Sequence, residues 1–146
     1  MDTVSELNDV KVRVYVKNNG ALNNGALFDY AGLNITLNQS CGTITQDTTL
    51  IGNVSVNGST CFTIGAGSIT LDCAGYWIVG NDTASTSGID INGQDNVTIK
   101  NCNIKDFATG ISSGAYANDN IIENIYTESN TYGIDFANSA RNAVTG

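Results

Sequence analysis

Ile99-Lys100-Asn101-Cys102-Asn103-Ile104 and Ile122-Glu123-Asn124-Ile125-Tyr126-Thr127 match position for position at a spacing of 23 residues. A second landmark keeps nearly the same period. Gly88-Ile89, Gly110-Ile111 and Gly133-Ile134 lie 22 and 23 residues apart. An Asn-led segment follows each pair, at Asn96-Val97-Thr98-Ile99, Asn120-Ile121-Ile122-Glu123 and Asn142-Ala143-Val144-Thr145. Working backwards, Ser68-Ile69-Thr70-Leu71-Asp72-Cys73 is a degenerate copy, preceded by Cys61-Phe62-Thr63-Ile64 where later copies carry Gly-Ile-Asp. A weaker copy starts at Thr43-Ile44 and runs through Thr49-Leu50-Ile51 to Val54-Ser55-Val56.

Short apolar triplets at a fixed period, with no helical spacing, describe a chain that coils. One coil cannot bury its inward side chains alone, so coils stack about 4.8 Å apart and build parallel sheets. Inward positions then form ladders, expected here as Val97/Ile121/Ala143 or Ile99/Ile122, and Ile89/Ile111/Ile134. The fold class is all-β: a right-handed, single-stranded parallel β-helix of about four to five coils over residues 41–146. Composition agrees. Glycine is frequent (16), Asn, Ser and Thr recur throughout, and proline is absent, which suits short strands joined by tight turns.

Residues 1–40 read differently. Val10, Val12, Val14 and Val16 alternate with Lys11, Arg13, Tyr15 and Lys17, as in a half-buried strand, and Asn-Gly turn signals follow. The segment is expected to be an N-terminal β cap or the remnant of a preceding β module, since a solenoid needs its first coil covered. The C-terminal coil, starting at Asn142, reads as incomplete, so the chain is expected to be a fragment of a longer solenoid or to pair there with another subunit.

Residues 41–141 resemble the right-handed β-helix repeat proteins of the pectin-lyase-like superfamily. The carrying stretches are Cys61–Ile64, Ser68–Tyr76 and Asn96–Ile104. Among these, the likeness is to exported archaeal cell-surface proteins: S-layer components, adhesins and subunits of hook-bearing, hamus-type filaments. The resemblance implies the fold. The superfamily also holds pectate lyases, polygalacturonases and phage tailspikes, so it implies no single activity.

The charge balance excludes some partners. Six basic residues against fourteen acidic ones leave a net −8, and no basic stripe could neutralise a run of phosphates, so nucleic acid is not expected. No segment approaches the roughly 20 apolar residues of a membrane-spanning helix. The start, Met1-Asp2-Thr3, lacks the basic and apolar runs of a secretory leader and reads as the mature part of an exported, extracellular protein.

Four sets of residues invite chemistry. Cys41, Cys61, Cys73 and Cys102 are an even count suited to disulfides, with Cys41–Cys61 and Cys73–Cys102 as the candidate pairs, or else to buried thiols. The sequons led by Asn34, Asn38, Asn53, Asn57 and Asn81 are candidate N-glycosylation sites, although a chain this rich in Asn, Ser and Thr generates such triplets by chance. Asn96 also leads a sequon but reads as a turn residue stacked with Asn120 and Asn142. Asp90 and Asp135 occupy matching outward positions with Ser112 between them. Two coils span about 9.6 Å, near the upper end for an inverting glycosidase pair. The default for such a column is solvated surface. Asp106 and Glu128 lie on another edge. Superfamily lyases pair bound Ca²⁺ with a basic residue, and neither Arg13 nor Arg141 stands near an acidic cluster in sequence. Tyr76, Trp77, Tyr116, Tyr126 and Tyr132 offer a sugar-stacking surface, with Tyr76-Trp77-Ile78 read as a corner holding one ring inward.

The expectation is a non-catalytic structural protein of the cell surface (S-layer-like, adhesin or filament subunit), needing no cofactor or metal. It would associate with itself through its coil ends and touch a surface polysaccharide. The alternatives are a carbohydrate-active or carbohydrate-binding β-helix, and a viral fibre or tailspike segment, which predicts a trimer.

Overall fold

The computed structural model describes residues 39–146, and the proposed cap over residues 1–40 therefore lies almost wholly outside the described residues. The described chain is a parallel β-solenoid of about five turns without helices. Coil one carries β1 (Gly42–Ile44), β2 (Thr48–Thr49) and β3 (Val54–Ser55). Coil two carries β4 (Phe62–Ile64), β5 (Thr70–Asp72) and β6 (Trp77–Val79). Coil three has β7 (Ser87–Asp90) and β8 (Thr98–Lys105), coil four β9 (Thr109–Ala115) and β10 (Ile121–Glu128), and coil five β11 (Tyr132–Ala137) and β12 (Ala143–Thr145).

The first face is the sheet β1-β4-β7-β9-β11, and every pairing in it is parallel. The second face stacks β2, β5, β8, β10 and β12. The third stacks β3 and β6 under the C-terminal half of β8, because β8 and β10 each run through two faces. Asn101 and Asn124, both in the left-handed region (φ 54° and 51°), turn β8 and β10 from one face to the next. Asn tolerates that conformation better than other residues with a Cβ. In coil two the same corner is Cys73–Tyr76, with Ala74 and Gly75 left-handed, so it is two residues longer than its counterpart Asn101-Cys102.

The ladders Ile89/Ile111/Ile134 and Leu71/Ile99/Ile122 form as the period implies, with Val54/Ile78/Ile104 on the third face. The inward residues of coils two and three are almost wholly removed from water. The ladder Val97/Ile121/Ala143 does not form. Ile121 pairs with Thr98 and is 44% exposed, and the residues level with buried Val97 are Asn120 and Asn142. The reason is a one-residue slip: the sheet repeats at 23 residues, whereas Asn96 and Asn120 are 24 apart. A one-residue slip reverses the face of a strand position. Asn96 therefore stacks with Asp119 and Arg141 rather than with Asn120, and all three, with Ser68 below, are left-handed (φ 57–59°).

Gly88, Gly110 and Gly133 form a column for a reason of space. A Cβ on Gly110 would sit 2.4 Å from the Gly133 carbonyl oxygen and 3.2 Å from the Thr127 methyl. Only a hydrogen lets the coils close there.

Candidate functional site

Side chains, as well as backbone, join the coils. Asn101 Nδ2 donates to Asp72 Oδ1 (2.9 Å), and Asn124 Nδ2 donates to Asn101 Oδ1 (2.9 Å), a three-rung ladder up one corner. Asp72 also accepts from the Ala74 amide (2.8 Å) and faces Lys100 Nζ at 3.5 Å. The Asn101 hydrogen bond, helped by Ala74 and Lys100 and opposed by desolvation, holds the Asp72 carboxyl below its usual 3.8.

A second ladder runs through the core. Asn120, fully buried, accepts from the Val97 amide (2.7 Å) and donates to the Gln94 carbonyl (3.1 Å), and Asn142 does the same for Asn120 N and the Ala117 carbonyl. Buried amides must be satisfied, and these are satisfied by the coil beneath. Asp47, Asp95, Asn118 and Asn130 cap backbone amides one coil away in the same manner. The sequence reading missed these connectors. Their signal was there: Asn101 and Asn124 occupy one position of the matched repeat.

Asp90 and Asp135 both register with Ser112, and Thr63 lies below Asp90. Asp90 Oδ1 accepts from the Asn92 amide at 2.8 Å, so that carboxylate serves its own turn. Among the described residues, no group of three His, Cys, Asp or Glu side chains is placed to hold a metal ion. Arg141 forms a two-pronged pair with Asp119, whose hydrogen bond holds the carboxyl below its usual value, and Arg13 lies outside the described residues.

Trp77 and Tyr126 project outward from the third face on either side of Asn103. The expectation of an inward ring at Tyr76-Trp77-Ile78 is corrected: Ile78 takes the inward position, Trp77 is half-buried and Tyr76 is exposed, because strand alternation leaves one inward place in Trp77–Val79. The two rings meet edge to face at 5.9 Å, and Lys105 Nζ lies 5.5 Å from the Trp77 ring centre. Lys105 also faces Asp106 (3.7 Å) and Glu128 (4.0 Å), and the Tyr126 hydroxyl donates to Glu128 at 3.0 Å, which raises the phenol above its usual 10. This patch largely saturates itself. Tyr116 and Tyr132 are also exposed.

Cys41 and Cys61 are bonded, with Cα atoms 4.6 Å apart, and so are Cys73 and Cys102, at 4.8 Å. Each bridge joins a coil to the next. Of the sequons, Asn34 and Asn38 lie outside the described residues, and Asn53, Asn57, Asn81 and Asn96 are exposed. The side-chain Oδ1 of Asn53 accepts from the Trp77 amide, and that of Asn81 from the Gly58 amide and the Thr83 hydroxyl. No helix of the described residues is long and apolar enough to cross a membrane.

No protein-family model matches the chain, and no curated protein and no solved structure matches it.

Proposed function

We propose that the chain is a non-catalytic structural element of an extracellular, cell-surface assembly, such as an S-layer-like coat, an adhesin or a surface filament. The observation that carries this reading is where the polar chemistry goes. Asp47, Asp72, Asp95, Asn101, Asn118, Asn120, Asn130 and Asn142 each bond to a neighbouring coil and Asp90 to its own turn, so these polar side chains serve the fold. Two inter-coil disulfides suit an oxidising compartment outside the cell.

Electron microscopy and light scattering over a concentration series test it. Filaments or sheets whose stacking repeat follows the solenoid axis are the expected result. A monomer at every concentration would remove self-assembly from the reading. A second reading, binding of a surface polysaccharide, is favoured by the outward Trp77–Tyr126 pair. It predicts a change in Trp77 fluorescence on titration with a neutral glycan, lost in Tyr126→Ala.

A further inference from the structure

The two disulfides are placed so that each short-circuits one full turn of the solenoid. Gly42 registers with Phe62, so Cys41 lies directly beneath Cys61 and their bridge closes all of coil one, 20 residues. Cys73 and Cys102 stand at the same corner of coils two and three, and their bridge closes the next turn, 29 residues. Between the bridges only residues 61–73 remain as open backbone. Beyond Cys102, the repeat carries Ile125 where coil three has Cys102, and Gly110 and Gly133 where the first two coils have Cys41 and Cys61. Coils four and five are therefore held by hydrogen bonds and packing alone.

We infer that this arrangement is an extension lock: tension along the chain unwinds the C-terminal coils, while the turns spanning residues 41–61 and 73–102 stay closed. A parallel solenoid peels one coil at a time, since each coil touches only its neighbours. Hydrogen bonds yield to a sustained pull, whereas a covalent bridge stops it. The chain becomes a tether with soft and fixed sections in series, the fixed ones being the two bridged turns. This deepens the structural reading and rests on it for its purpose, but the lock stands or falls separately from self-assembly.

Single-molecule stretching of the full chain, held by its two ends, reads the lock as the extended length reached before detachment. That length counts covalently free residues, whether or not a variant folds at rest. At about 3.4 Å per residue, reduction with a phosphine should lengthen the oxidised chain by roughly 70 Å for the 20-residue turn and roughly 100 Å for the 29-residue turn. The Cys41→Ser/Cys61→Ser variant should recover only the first increment without reductant, and Cys73→Ser/Cys102→Ser only the second. Equal lengths for the oxidised and reduced chains would overturn the inference, as would increments that do not follow these pairs. Filament formation, scored by microscopy, has no bearing on the measured length.

Discussion

At the scale of single residues, Asn101 does two jobs that few side chains combine. It holds a left-handed corner and gives both ends of its amide to the ladder, donating to Asp72 and accepting from Asn124. Asn101→Ala loses both bonds at about 1 kcal/mol each and adds roughly 1 kcal/mol of left-handed strain. Urea unfolding should show a loss of about 2–3 kcal/mol, and an unchanged midpoint would show that the ladder contributes nothing. Asp72 gives the same corner a pH dependence. Its folded pKa lies below 3.8, so its stabilising effect is fully present above the unfolded value and is lost as pH falls below about 4, through the folded pKa. Asp72→Asn should flatten the acid limb below about pH 4 in the unfolding midpoint. An acid limb identical to that of the parent chain would assign the loss to other carboxylates.

At the scale of elements, the Gly88/Gly110/Gly133 column sets how closely successive coils approach along the first face. Gly110→Ala puts a methyl against the next coil's backbone, where nothing flexible can yield. A cost of about 2–3 kcal/mol is expected from such overpacking, read as a lower melting midpoint with unchanged strand signal in circular dichroism. Gly58→Ala is the contrast: its added Cβ meets nothing within 4 Å, so any cost there comes from its φ of +74°. These elements also show what the sequence could and could not tell. The repeat revealed the strands and the inward Ile ladders because apolar spacing is periodic. It did not reveal the corner ladders, since Asn at a turn looks alike whether it caps its own loop or the coil below. The Asn-led landmark misplaced Ile121 because a single inserted residue in a turn changes the face without disturbing the visible period. The aromatic face was illegible for a related reason: Trp77 and Tyr126 come from coils two apart, with Asn103 in register between them.

At the scale of the whole molecule, stability should be graded along the solenoid rather than uniform. Coils two and three have neighbours on both sides and inward residues sealed from water, and coil two is bridged covalently to both coil one and coil three. Coil five packs on one described neighbour, its Ile134 and Phe136 are only half-buried, and Val144 is 57% exposed. In a structure whose coils are coupled to nearest neighbours, the less supported coils open first and opening need not be global. Hydrogen exchange followed by mass spectrometry should therefore find amides of β11 and β12 exchanging first and those of β4, β5 and β8 last. Reduction changes the slope in a defined way. Closing a loop of 20 or 29 residues restricts the unfolded chain by roughly 3 kcal/mol for each bridge. Removing the bridges should lower the protection of β1–β8 by about two orders of magnitude for each one lost, while β11 and β12, already opening locally, change little. Equal protection from β4 to β12 in the oxidised chain would mean that the coils open as one cooperative unit, with the bridges stabilising all of them alike.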